Sequence, residues 1–240
     1  METIINLTEF AFAIIFGFVV IILCRKVLSS AKNSDIDRKI VIRCAIITSV
    51  WFLLSLLLSI NGFFHDPKQF SEGDFTGLIL AIVIMFIPIS GFFFLLKKNK
   101  SFKNLIDSVD RKFITGLQSY RMLGGIYWLL LLFDKRAPAL FAIPTGILDS
   151  LIGISAPAIA YIILRATRFA KIWNYIGIFD FILAFSIYFL YFPFKILNIS
   201  PEMIMWGGFY PVAFIVIFVV PLSVILHVVS LIKISNSELL

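Results

Sequence analysis

The stretch Ala139-Leu-Phe-Ala-Ile-Pro144-Thr-Gly146-Ile-Leu-Asp149-Ser-Leu-Ile-Gly153-Ile-Ser-Ala-Pro157-Ala-Ile-Ala-Tyr-Ile-Ile-Leu164 decides how the chain is read. It is apolar and long enough to cross a bilayer, which takes roughly 20 residues at about 1.5 Å each. Yet an aspartate lies near its centre, with two prolines and two glycines around it. In lipid an acid is costly, and a proline strips a backbone hydrogen bond that no water replaces. Such residues stay in a span only where protein or water takes them up, so the stretch marks both the class of protein and the place to look.

The whole chain follows this stretch. Hydrophobic residues make up 60% and charged residues 15%, with a mean hydropathy of +1.02. Soluble domains hold about 45–50% apolar and about 25% charged residues. The 240 residues are therefore read as a single polytopic membrane domain, 1–240. The formal charge of +7 would suggest nucleic acid in a soluble protein. Here the cations cluster in particular loops, so orientation explains them and no nucleic-acid partner is expected. Glu2 and Glu9 stand where a cleavable signal would be basic, so the first run is expected to be retained. Cys24 and Cys44 fall near one side and are read as packing residues, neither disulfide nor metal ligand.

Hydropathy marks seven runs, at 10–28, 40–60, 75–96, 117–133, 139–164, 172–194 and 209–232. Loops one, three and five are basic, carrying Arg25, Lys26, Lys32, Arg38 and Lys39, then Lys97 to Lys112, then Arg165, Arg168 and Lys171. Loops two, four and six are not. The positive-inside rule then predicts an all-α protein of seven transmembrane helices, with the N-terminus outside and the C-terminus cytoplasmic. Within 101–120, Phe102, Leu105, Ile106, Val109, Phe113, Leu117 and Tyr120 recur at helical spacing opposite lysines and aspartates. One interfacial amphipathic helix before span four is expected, favouring anionic inner-leaflet lipids or a docking partner.

A short internal similarity relates Phe86-Ile-Pro88-Ile-Ser90 to Val219-Val-Pro221-Leu-Ser223. The same 133-residue offset carries spans one and two onto spans five and six. This is the three-plus-one-plus-three plan of parallel-repeat transporters such as the sugar-transporting SWEET class.

Candidate site residues gather in spans five to seven. Asp149 lies about 15 Å from the outer start of its span at helical rise, near the midplane. It shares a stripe with Thr145, Gly146, Gly153, Ala156 and Ala160, small residues suited to close packing. Pro144 and Pro157 are expected to break or kink the helix and free carbonyls at Leu140 and Gly153. Asp180 lies about 12 Å deep in the next span, on a face with Trp173, Gly177, Ala184 and Tyr188. Two close carboxylates would share a proton, because like charges in a low dielectric do not both ionise easily. They are read either as an ion or proton site or as a structural clasp. Asn174 is a partner for Asp180 or for the end of span five. His227, about 27 Å from the outer end of span seven, is read as lying near the inner interface, and Pro221 as a helix break.

No phosphate loop, metal spacing or nucleophile triad is argued, so no cofactor, metal or enzymatic activity is expected. Span seven has no mid-membrane lysine, which excludes a retinal Schiff base. Asn6-Leu-Thr8 and Asn198-Ile-Ser200 match a glycosylation sequon.

Pro138-x-x-Phe141-Ala142-x-Pro144-x-Gly146-x-x-Asp149-x-x-x-Gly153-x-x-Ala156-Pro157 resembles a signature of small bacterial integral membrane proteins of unassigned function. Trp173-Asn174-x-x-Gly177-x-x-Asp180-x-x-x-Ala184 and the segment from Pro211 to Pro221 and His227 extend it over about the last half of the chain. This chain has Leu148 where that family more often has Gly. The resemblance implies a multi-pass protein of a bacterial inner membrane and supplies no activity. Two functions stay open: a small-solute or proton-linked transporter, and a non-transporting sensor or complex subunit whose acids are structural.

Overall fold

The computed structural model describes residues 2–30, 38–65, 76–162, 167–191 and 208–237. Every element among them is helical. Asn198-Ile-Ser200, Arg165 and most of loops one, two and six lie outside the described residues. The elements are α1 (Glu2–Ser30), α2 (Arg38–Ile60), α3 (Thr76–Lys98), α4 (Lys100–Ser108), α5 (Arg111–Leu117) and, after a 3-10 turn at Gln118–Tyr120, α6 (Arg121–Phe133). Then come α7 (Ala139–Ile162), α8 (Thr167–Tyr191), α9 (Val212–Phe214), a π turn at Ile215–Val219 and α10 (Val220–Ser237).

Six helices are long and apolar enough to cross a membrane: α1, α2, Ile79–Lys98, α7, Thr167–Leu190 and Val212–Asn236. These make the chain a multi-pass membrane protein. The fourth hydropathy run is the exception, because α6 spans only 13 residues. It is continuous, however, with the 3-10 turn and α5, so the helical rod occupies 111–133 rather than 117–133. That corrects the single amphipathic helix expected over 101–120. Val109 is extended at φ −74° and ψ 134°, and the Asp110 carboxylate accepts from the Lys112 N–H to cap a new helix. Only α4 keeps the surface-helix pattern, burying Phe102 and Leu105 while Lys100 and Lys103 stay exposed.

Remote contacts sort the helix ends into two sets. At one end the Tyr210 hydroxyl donates to the Glu9 carbonyl at 2.7 Å, and the Tyr127 hydroxyl to Glu9 Oε1 at 3.1 Å. The Tyr210 N–H donates there to the Ser59 carbonyl at 3.1 Å. At the other end Lys233 Nζ donates to the carbonyls of Ile106 at 2.9 Å and Asp107 at 2.6 Å. Arg111 reaches the Lys233 carbonyl at 3.4 Å, and the Cys24 thiol the Ala45 carbonyl at 3.7 Å. The 111–133 rod therefore runs from the second end to the first, packed along α7 throughout.

Two left-handed residues turn the chain at the first end. Gly62 at φ 62° closes α2, with Phe63 N–H on Leu58 O and Gly62 N–H on Ser59 O. Lys135 at φ 59° closes α6 with the same pair of bonds, to Leu131 through Arg136 and to Leu132. Both are Schellman endings, and the second places a lysine where glycine is usual.

The last helix is the axis. Val212–Asn236 is 67% buried over its most apolar stretch, against 17–39% for the other five long helices. Around it Phe16, Phe52, Phe214, Phe218 and Tyr120 pack ring to ring at 5.1–6.4 Å. Large apolar side chains on the outer faces of α1, α2 and α3, such as Phe10, Phe18, Leu57 and Phe94, are exposed. A bundle apolar outside and polar at one inner point suits a hydrocarbon solvent.

Candidate functional site

A buried arginine organises the polar centre. Arg121 is 2% exposed and stands one residue from the middle of the 111–133 rod. A guanidinium carries five N–H donors in a rigid fork, and here every nitrogen has a hydrogen-bond partner. Nε donates to Asp149 Oδ1 at 2.7 Å. Nη2 donates to Asp180 Oδ2 and forms an ion pair with Asp149 Oδ1 at 2.7 Å. Nη1 donates to the Gly177 carbonyl and to His227 Nε2, both at 3.1 Å. The guanidinium carbon also lies 4.3 Å from the Phe181 ring centroid, a cation–π contact. One side chain of the rod thus ties together α7, α8 and α10.

Hydrogen-bond bookkeeping fixes the histidine. Asn174 Nδ2 donates to the Ala170 carbonyl at 2.7 Å and to Ser230 Oγ at 3.1 Å, so its Oδ1 is the atom 2.9 Å from His227 Nδ1. An amide oxygen only accepts, so Nδ1 carries the proton. Arg121 only donates, so Nε2 presents its lone pair. His227 is therefore a neutral imidazole of defined tautomer. Ser230 continues the chain to Thr115 Oγ1 at 3.5 Å. One layer further along the rod, Gln118 Nε2 donates to the Ser223 carbonyl at 3.2 Å, and the Tyr120 and Ser223 hydroxyls lie 2.7 Å apart.

Small residues let these groups meet. A Cβ on Gly125 would come within 2.6 Å of the Gly146 carbonyl oxygen, and one on Gly153 within 2.3 Å of the Met122 nitrogen. The rod and α7 are therefore in backbone contact on both sides of Asp149. A Cβ on Gly177 would strike the His227 ring at 2.3 Å, so only glycine lets the imidazole reach Arg121 there.

The structure brings Asp149, Asp180, Asn174 and His227 into one cluster. The two carboxyl groups also meet on one nitrogen, Arg121 Nη2, which lies 2.7 Å from Asp149 Oδ1 and pairs with Asp180 Oδ2. Asn174 serves His227 rather than Asp180. His227 is 0% exposed and belongs to the centre, not to the inner interface, because its helix continues past residue 232 to Ser237. Thr145 is buried one turn before Asp149, and its hydroxyl has no hydrogen-bond partner among the described residues. Tyr188 lies two turns beyond Asp180, with its ring 6.4 Å from Phe141, outside the cluster.

The prolines act differently from expectation. α7 runs through Pro144 and Pro157 without a break. Pro221 instead follows a π turn, and its missing N–H leaves the Ile217 carbonyl to the Trp51 indole N–H at 3.0 Å. Sequence reasoning missed Arg121 altogether.

With both carboxylates ionised, the cluster's formal charge is −1. Asp180 Oδ1 is buried and accepts no hydrogen bond among the described residues. Among the described residues no three His, Cys, Asp or Glu side chains gather as a metal ion would need. No curated protein and no solved structure matches the chain. A family model described as a domain of unknown function, DUF8737, matches residues 78–235, from α3 through every cluster residue and almost to the end of α10. The chain belongs to that family.

Proposed function

We propose that the chain is a seven-span transporter of a small solute or ion, with the Arg121–Asp149–Asp180–His227 cluster as its midplane site. The observation that carries this reading is the convergence of charged and polar side chains from the 111–133 rod, α7, α8 and α10 near the middles of these elements. Ionisable groups at that depth mark pathways and coupling sites in membrane proteins. The 111–133 rod supplies the seventh crossing. Lys97, Lys98, Lys100, Lys103, Arg111 and Lys112 gather at the end of the bundle where α10 closes, which supports a cytoplasmic assignment for that end. The same lysines suit anionic inner-leaflet lipid. The resemblance to small bacterial membrane proteins supports an inner-membrane location. The shared Pro88 and Pro221 segments support a repeat of spans one to three in spans five to seven, and α3 packs against α10.

A second reading follows from every Arg121 nitrogen having a hydrogen-bond partner: the cluster is a clasp in a sensor or complex subunit. Proteoliposomes separate the two. Flux of sodium, ammonium, a neutral sugar, an amino acid and protons is measured for wild type and Asp149→Asn. Transport predicts that at least one probe crosses and that Asp149→Asn abolishes its flux while keeping the helical circular dichroism. If none crosses and Asp149→Asn unfolds, the clasp reading replaces it.

A further inference from the structure

We infer that the ligand of the cluster is a proton, shared between Asp149 and Asp180, and that His227 orients Arg121 without carrying it. The inference rests on the midplane site proposed above but concerns what occupies it, so it is tested without transport. The guanidinium already fills the space where a metal cation would bridge two carboxylates. It takes Asp149 Oδ1 twice and Asp180 Oδ2 once. What remains is Asp180 Oδ1, a buried oxygen without a donor among the described residues. Hard metal ions take six or more oxygens, whereas a proton needs one to bind and one to face.

A proton from water converts the Asp180 carboxylate into a carboxylic acid. Its O–H puts a donor on the orphan oxygen, and Asp149, whose Oδ1 lies 2.7 Å from the same Arg121 Nη2 that pairs with Asp180, is the neighbouring acceptor. The cluster's charge goes from −1 to zero, which a water-poor interior favours over a net charge. The charged and titratable groups facing the pair are Arg121 from the rod, His227 from α10 and Tyr120 from the 3-10 turn. Arg121 stays charged. His227 offers Nε2 to an arginine donor and Nδ1–H to Asn174, so neither nitrogen is free for the exchange. The Asp149 side chain keeps 12% of its surface accessible, against 1% for Asp180.

Infrared spectroscopy of the purified full chain in lipid tests this. At neutral pH the carbonyl stretch of a protonated carboxylic acid is expected, shifting in D₂O and again on labelling with carboxyl-¹³C aspartate. It should vanish in Asp180→Asn, and sodium or potassium chloride should leave it unchanged. Because the substituted amide is neutral and supplies a donor at the orphan position, that variant is expected to fold. If it does not, the ¹³C shift in wild type carries the assignment. Absence of the band at every pH where the protein stays folded overturns the inference, as does a band insensitive to aspartate labelling or displaced by sodium. A band without any flux leaves the proton site standing and removes the transporter. Flux without the band does the reverse.

Discussion

Arg121 differs from the buried acids in that it ties three helices at once, and its removal leaves the acid pair's negative charge without a counter-charge. Breaking a buried ion pair by deleting one partner costs about 3–5 kcal/mol, most of it the desolvation of the charge left behind. Arg121→Met is therefore expected to lower unfolding free energy in mild detergent by that order. Adding Asp149→Asn and Asp180→Asn should recover most of the loss, since the triple variant carries no buried charge. Arg121→Lys should fall between, because an ammonium has three donors for five places. Denaturant titration followed by circular dichroism reads all of these. A single-variant loss below about 1 kcal/mol, the scale of an ordinary hydrogen bond, would reject the hub. At this scale the acids, Asn174 and His227 were legible, because a polar residue within an apolar run stands out against its neighbours. Arg121 was not. Hydropathy scores a charge as the edge of a run, so the scale that finds spans pushed this arginine towards the border of its own span.

The rod and α7 are the pair of elements on which the cluster depends, and glycine sets their separation. A methyl group added at Gly153 would lie 2.3 Å from the Met122 nitrogen, a backbone atom that moves only if the helices part. Overpacking of this kind costs about 1–3 kcal/mol, and here it also draws Asp149 away from Arg121. Gly153→Ala is expected to destabilise by at least that much. Gly91→Ala, on α3 with nothing within 4 Å of the new methyl, should leave the melting temperature unchanged or raise it. Equal effects would show that helix propensity, not interhelical distance, governs both sites. The small-residue stripe of Thr145, Gly146, Asp149, Gly153, Ala156 and Ala160 was legible from its spacing, and all of these are buried. The boundary between α4 and α5 was not. The apolar rhythm runs on through Val109 and Asp110, and only the extended backbone and the side-chain cap divide the surface helix from the rod.

For the molecule as a whole, the number of crossings decides which faces the two termini occupy. Six crossings return the C-terminus to the side of the N-terminus, and seven separate them. Only six single helices are long enough to cross, because the rod is divided into α5, a 3-10 turn and an α6 of 13 residues. Contacts argue for the seventh. The rod begins beside Lys233, where α10 closes, and Tyr127 on its later half meets Glu9 near the start of α1. Its 23 positions span about 34 Å at helical rise, enough for a hydrocarbon core of about 30 Å. The expected topology therefore sets Asn61 and Lys135 on the outer face, with Lys103 and Ser237 on the cytoplasmic face. Single cysteines at positions 61, 103 and 135, in a background with Cys24 and Cys44 changed to serine, are labelled in intact cells with a membrane-impermeant maleimide. Positions 61 and 135 should react before lysis and position 103 only after it. A C-terminal fluorescent fusion should fold and emit, as it does only in the cytoplasm, whereas a C-terminal alkaline phosphatase should stay inactive. Labelling at 61 but not at 135 in intact cells, with an active phosphatase, would mean that the rod does not cross. Arg121 would then not lie at the midplane, and the transporter reading would lose its geometric basis.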